Sequence, residues 1–468
     1  MSSGNKSTSA VSLKFGTDGV RGIANLELTA EWAVVLGKVA AKVLGDRPRF
    51  VLGRDTRISG EMLAAAISAG IASAGLDVLD LGVVTTPGVA WASRTLDVPG
   101  VVISASHNVF SDNGVKFFAA GGNKLSDSQQ ADIERLLEDP TREELIFHET
   151  HREHCGRIHP ETQLVEGYRD FLASSIDRTN SRLGELSVVV DCANGAAYKI
   201  APDVFSQLGI ETYVIGDSPN GTNINEGYGS PNLSELSSQV VGHGATLGVA
   251  FDGDGDRCLA VDESGDLVDG DQMMAMFARD LLDRGRLAEN TVVVTSMANL
   301  GLRKSMGEIG VEVRETDVGD RFVLIEMDRT KACLGGEQSG HLIFRDLATT
   351  GDGLLTALKL IELVARKGTG LKELADQSMT RLPQSLISVV VEDPRKVLES
   401  SVVDEYTAKV RHELGNSGRV VIRPSGTEPK VRVMVEAQDQ DSANHFANIL
   451  AEVISRELGA KSTPGISG

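Results

Sequence analysis

Short apolar runs that stop abruptly at polar, glycine-rich loops recur along this chain. They include PGVVISA at 99–105, LSVVVDC at 186–192, ATLGVAF at 245–251, NTVVVTS at 290–296 and KACLGG at 331–336. Runs this short and this rich in β-branched residues read as strands buried on both faces. Helical stretches stand between them. One spans 29–44, where Thr29 reads as the cap and Glu31 sits in the first turn, and another is the alanine-rich 60–74. Strand and helix alternate, the mark of an α/β fold. RFVLGRD at 49–55, DVLDLGVV at 77–84 and the run at 99–105 form a first block, and two further blocks lie at 186–262 and 290–344. The last portion differs: a strand at 386–393, a helical pattern at 402–414, two strands joined by a turn within 418–437, and a terminal helix at 441–458.

The fold class that follows is three similar α/β units and a smaller C-terminal α+β unit. At 468 residues several domains are expected in any case, since single cores seldom grow beyond about 250 residues. The expected divisions are a loose tail at 1–12, then 13–160, 161–263, 264–380 and 381–468, with the last boundary around Met379 to Pro383. The repetition is architectural, without a strict sequence repeat.

A net charge of −20 argues against nucleic-acid binding, which needs a basic footprint. No apolar run reaches the length of a membrane span, and MSSGNKSTSA lacks the apolar middle of a secretory signal. Cys155, Cys192, Cys258 and Cys333 are scattered, fitting neither a disulfide framework nor a cysteine zinc site. A reducing, cytoplasmic setting is therefore expected. An acidic chain that binds an anion needs local donors: arginines, glycine loops, helix N-termini.

Five segments carry chemistry. In DGDGDR (252–257), Asp252, Asp254 and Asp256 alternate with glycines that permit a sharp turn. Three carboxylates converging there suit a hard cation, magnesium or calcium; the alternative is an acidic surface turn, which the flanking buried strands disfavour. In ISASHNVFSDNGVKFF (103–118), Ser106 follows a strand end, with His107 and Lys116 nearby in sequence. A turn serine is the plain reading. A phosphoryl-carrying serine would need cations close by, and the GxSxG elbow of a hydrolase is absent. In GGEQSGHLIF (335–344), Glu337, Ser339 and His341 alternate in a glycine-flanked loop suited to sugar hydroxyls, or to a polar hairpin. In RPSGTEPK (423–430), Arg423, Ser425 and Thr427 around Gly426 make an anion cradle or an ordinary turn; it is no Walker loop. In FGTDGVRG (15–22), Arg21 lies among glycines within reach of a phosphate.

Taken together, in this order and at this rough spacing, these motifs resemble those of the α-D-phosphohexomutases from about Leu13 to about Leu458. The resemblance implies four domains with mixed sheets around a central active-site cleft. It implies a phosphoserine at Ser106 and one Mg2+ per chain held by Asp252, Asp254, Asp256 and the Ser106 phosphate. Arg21, His107, Lys116 and Arg257 would line the transfer site, with Lys116 and His341 trading protons with the sugar. Glu337, Ser339 and His341 would hold the sugar, and Arg423, Ser425, Gly426 and Thr427 the phosphate that is not transferred. The implied enzyme is an isomerase whose partner is a small sugar phosphate, with no nucleic acid or membrane, as monomer or homodimer. A hexose or glucosamine 1,6-bisphosphate would serve as activator.

FGTDGVRG, Gln338 and TDVGDR (316–321) resemble the family's glucosamine branch. The expected reaction is then interconversion of glucosamine 6-phosphate and glucosamine 1-phosphate, toward UDP-N-acetylglucosamine and the cell wall. The alternatives are a mannose- or glucose-phosphate mutase of the same family, a non-catalytic sugar-phosphate binder and a hydrolytic phosphatase. One departure stands in the serine loop: Val109 occupies the place where the family usually has proline.

Overall fold

The computed structural model describes residues 16, 19–139, 155–177, 181–425 and 429–459. The tail at 1–12, Gly426 and Thr427 lie outside the described residues. Among those described are four sheets. The first aligns Arg49–Arg54, Asp77–Val83, Gly100–Ile103 and Ile158–Pro160 in parallel and adds Asp112–Ala119 and Val20–Ile23 as antiparallel strands. The second sets Leu247–Phe251, Ser187–Asp191 and Glu211–Ile215 parallel, with Cys258–Val261 antiparallel beside them. The third sets Thr291–Thr295, Glu312–Thr316 and Leu334–Gly336 parallel, again with an antiparallel edge, Leu342–Phe344. The fourth is wholly antiparallel: Gln384–Val390, Lys430–Glu436 and Arg419–Pro424, packed on the helices Ser401–Leu414 and Gln440–Glu457.

The apolar runs are continuous because both strand faces are covered. Successive side chains point to opposite faces. Phe50 and Leu52 accordingly enter one core while Val51 enters another. Val188 and Val190 oppose Val189 in the second sheet, and Val292 and Val294 oppose Val293 in the third. One hydrophobic core runs unbroken through the second and third sheets, from Tyr168 to Met379, whereas the fourth sheet has a core of its own. The helix Ala30–Leu44 begins where the sequence indicates, with the Thr29 hydroxyl accepting from Trp32 N at 3.2 Å.

The three α/β sheets share one device. Each parallel run ends in an antiparallel partner, and the connection between those two strands holds polar residues: 104–111, 252–257 and 337–341. These connections lie beyond the carboxyl ends of parallel strands, where open α/β sheets place ligands. The hairpin of the fourth sheet supplies a fourth such segment between Pro424 and Lys430.

Candidate active site

The serine loop is built from its strand outward. Past Ile103, the Ser104 hydroxyl donates to Asp55 Oδ2 at 2.5 Å and accepts from Ser106 N at 2.9 Å. Ser106 is almost fully buried and lies in the left-handed region, φ 54°. Its hydroxyl donates to Asp252 Oδ2 at 2.5 Å, so the serine loop and the aspartate loop meet at the serine oxygen itself. Beneath the loop runs Arg57, fully buried and paired with Asp55 at 2.8 Å. Its Nη2 donates to the carbonyls of Ser106 and Asn108, both at 2.9 Å, and its Nη1 to those of Val109 and Asp112. Val109 thus needs no proline ring, because a guanidinium grips its carbonyl and its side chain points out to solvent, 62% exposed.

Asp252, Asp254 and Asp256 are buried, and each offers an oxygen within 4.8 Å of those of the others. Asp254 Oδ2 accepts from Lys116 Nζ at 2.8 Å and from the Thr86 hydroxyl at 2.7 Å. Lys116 Nζ lies 3.7 Å from Asp256 Oδ2. The other oxygens, Asp254 Oδ1 and Asp256 Oδ1, are buried without a hydrogen-bond partner among the described residues. Buried carboxylate oxygens normally have partners. Two orphans facing a third carboxylate are what an oxygen-ligated cation such as magnesium requires. The acidities agree. Burial, then Asp256 and Asp254, push Asp252 well above the usual carboxylate range. Burial also acts on Asp256, but Lys116, His341 and Arg257 outweigh it and hold that carboxyl low.

His341 closes the site from the third sheet. Nδ1 lies 3.7 Å from Asp256 Oδ2 and Nε2 lies 3.4 Å from Asp320 Oδ2. Burial opposes its charge and the Gly351 N–H, 3.2 Å from Nε2, suits a neutral ring. The surrounding carboxylates of Asp256, Asp320 and Glu337 prevail and raise it to about 9. His107 behaves oppositely, at about 4. The cleft partly desolvates its ring, and Arg257 and Arg21 add positive charge nearby, although its outer edge stays exposed. His107 Nδ1 is 3.4 Å from the Ser106 hydroxyl. The two rings are thus pushed in opposite directions.

Backbone contacts lock these loops together: Thr86 N to Asp254 O at 2.8 Å, Cys258 N to Gly340 O at 3.0 Å, Gly353 N to Gly255 O at 3.0 Å. Burial raises the Glu337 pKa, offset in part by His341. Ser339 sits half-buried on the same loop. On the fourth sheet, Arg423 pairs in register with Arg432. Burial and that neighbouring guanidinium lower its pKa, Glu337 raises it from the sugar loop, and its buried Nε has no hydrogen-bond partner among the described residues. Like charges opposed across a hairpin are unfavourable unless an anion joins them. Ser425 N is tied to Lys430 O at 2.8 Å.

The structure thus gathers Ser106, His107, Arg21, Lys116, the three aspartates, Arg257, Glu337 and His341 in one cleft, with Arg423 facing Glu337. Asp55, Arg57, Thr86, Asn225 and Asp320 join them without having been singled out from sequence. For Asp55 and Arg57 a signal existed: GRDTRISG (53–60) follows a buried strand end, as the other chemistry loops do. Asn225, in the turn-rich 216–232, carried none beyond turn composition. Among the described residues no helix is long and apolar enough to cross a membrane.

Comparison with known proteins places this arrangement. Family models described as phosphoglucomutase/phosphomannomutase match in all four parts: alpha/beta/alpha domain I over 12–144, domain II over 166–265, domain III over 269–382 and the C-terminal domain over 386–453. The phosphoglucosamine mutase of Thermobifida fusca is 51% identical, with 95% of this chain and 98% of that protein covered. That of Desulforamulus reducens is 48% identical, over 94% and 98%. Among solved structures, a phosphoglucomutase/phosphomannomutase family protein from Burkholderia thailandensis superposes with a TM-score of 0.78 at 23% identity, covering 97% of this chain and 98% of that one. The Aspergillus fumigatus N-acetylphosphoglucosamine mutase, solved with GlcNAc-6P and magnesium, superposes at 0.69 and 19% identity, over 95% and 96%. The structures share the fold, and the four matched domains with the close relatives show that this chain belongs to the phosphoglucomutase/phosphomannomutase family.

Proposed function

We propose that this enzyme interconverts glucosamine 6-phosphate and glucosamine 1-phosphate through a phosphorylated Ser106. The observation that carries the reading is the Ser106 hydroxyl, 2.5 Å from Asp252, beside two buried carboxylate oxygens that have no hydrogen-bond partner among the described residues. The glucosamine substrate is supported by the close relatives, which bear the name phosphoglucosamine mutase. The domain limits at 13–160, 161–263, 264–380 and 381–468 serve this reading as working divisions.

The steps follow from the side chains. The Ser106 Oγ–P bond breaks as a sugar hydroxyl forms its own bond to that phosphorus, giving a bisphosphorylated sugar. Lys116 and His341 are the candidates for exchanging the hydroxyl proton with the sugar. The bisphosphate then turns in the cleft, its other phosphoryl group returns to Ser106, and the proton is handed back. Arg21 and Arg257 flank the moving group and offset its charge, and His107 lines the same site. Glu337, Ser339 and His341 hold the sugar hydroxyls in line. Arg423 and Ser425, with Gly426 and Thr427, hold the phosphate that is not being transferred, and must accept either end of the sugar. Mg2+ held by Asp252, Asp254 and Asp256 supplies further neutralisation of phosphoryl charge. A hexose or glucosamine 1,6-bisphosphate re-primes Ser106 when the intermediate escapes. A cytoplasmic location, as monomer or homodimer, suits such a small-molecule enzyme.

Intact-mass measurement tests the serine. Wild type treated with hexose 1,6-bisphosphate should gain one phosphate, and Ser106→Ala should gain none. A wild type that takes up no phosphate would sink the reading. Side-by-side assays on glucosamine, glucose and mannose phosphates test the sugar, and faster turnover of either hexose phosphate would overturn the substrate assignment.

A further inference from the structure

Ser106 holds a backbone conformation that a serine rarely adopts, φ 54°, and such a conformation persists only where the surroundings over-determine it. Two donors do so here, on the same two carbonyls. One is Arg57, already described. The other is Asn225, whose Nδ2 donates to Ser106 O at 2.9 Å and to Asn108 O at 3.0 Å. Arg57 belongs to the same sheet as the serine. Asn225 comes from the second sheet's connection between Glu211–Ile215 and the helix Ser234–His243, 119 residues further along the chain.

Asn225 is itself anchored. It has φ 61°, a conformation asparagine tolerates better than most residues, and its N–H donates to Ala193 O at 2.8 Å. The turn receiving it is fixed by the buried Asp191, which accepts from Ala193 N at 2.9 Å and Gly229 N at 2.7 Å. Gly253 of the aspartate loop completes the contact. A Cβ there would lie 2.5 Å from Ser106 O and 2.9 Å from Asn225 Nδ2, so only glycine lets the three segments meet. The amide is used from one end alone: its Oδ1 is buried and has no hydrogen-bond partner among the described residues.

We propose that Asn225 is a positioning residue for phosphoryl transfer, clipping the serine loop from the neighbouring domain so that Ser106 Oγ faces the aspartate loop. This rests on Ser106 as the phosphoryl carrier. Without the clip, the backbone of Ser106 relaxes toward commoner conformations and its hydroxyl leaves the line of transfer. Sugar binding does not change, because Glu337, Ser339 and Arg423 lie on other segments.

The test compares Asn225→Ala and Asn225→Asp with wild type, measuring kcat, KM and the rate at which hexose 1,6-bisphosphate phosphorylates the protein by intact mass. Losing two hydrogen bonds of ordinary strength predicts a fall of about 10- to 100-fold in kcat with KM unchanged, and a matching fall in phosphorylation rate. Asn225→Asp keeps the shape but sets carboxylate oxygens against two carbonyls, so it should be slower than Asn225→Ala; it also carries the test if the alanine variant does not fold. Wild-type kcat in a folded variant, or a rise in KM at constant kcat, overturns the proposal. A wild type that accepts no phosphate overturns the serine reading instead, so the two failures are distinguishable.

Discussion

Arg57→Ala should strip the serine loop of its floor. Arg57 and Asp55 are paired at 2.8 Å with neither side chain exposed, and the guanidinium also serves four backbone carbonyls. Removing one member of a fully buried pair costs about 3–5 kcal/mol, because the other charge stays buried and uncompensated. For a domain of this size that corresponds to a fall on the order of 10 °C in its unfolding midpoint. The sign of the pH dependence follows from Asp55. Burial already raises its pKa in the wild type, against the pull of Arg57. Removing Arg57 raises it further, so the loss of stability should be smallest in acid and grow as pH rises and the carboxyl is forced to ionise. The double variant Asp55→Asn/Arg57→Ala, which removes the stranded charge, should recover much of the midpoint. Arg57→Lys keeps the charge without the fork and should fall between. Calorimetry at several pH values reads all of this. An Arg57→Ala protein that melts with the wild type, or a double variant that is no better than the single, would refute the reasoning.

Two further outcomes follow. Added magnesium should stabilise chelator-treated wild type by about 2.7 kcal/mol at a hundredfold excess over the dissociation constant, read as a higher thermal midpoint, and Asp254→Asn should flatten the titration; an unchanged titration in that variant would place the ion elsewhere. Asp352, which caps the helix Gly353–Lys367 and accepts from the Tyr168 hydroxyl at 2.8 Å, is raised by burial to about 6 from 3.8. Its stabilising contribution is present below the unfolded value and lost as pH rises through the folded one. The stability margin of wild type over Asp352→Asn should therefore shrink by about 3 kcal/mol in all, about 2 kcal/mol of it between pH 4 and pH 6, and level off about one unit above the folded value. A margin that grows across that window in denaturant titrations would reverse the assignment.

Much of the fold can be read along the chain. Buried strands such as 187–191 and 247–251 declare themselves as valine-rich runs, and each stops where a functional loop starts. The aspartate triad is legible because its three carboxylates fall within five consecutive residues, on one glycine-supported turn. Local spacing determines local geometry there. Val109 shows the limit of such reading: the missing proline looks like a weakness in sequence, yet Arg57 holds the loop by its carbonyls.

Contacts between distant segments leave no periodic trace, and only the packing of sheets decides them. Lys116 reaches Asp254 across 138 residues and Asn225 reaches Ser106 across 119. The opposite pKa shifts of His107 and His341 likewise depend on which arginines and carboxylates are brought beside each ring. From sequence alone come the candidate serine, the aspartate triad and the loops that bear them. The tertiary structure supplied the left-handed turn of Ser106, the buried guanidinium beneath it and the asparagine above it, because a strained residue is held by whatever surrounds it in space.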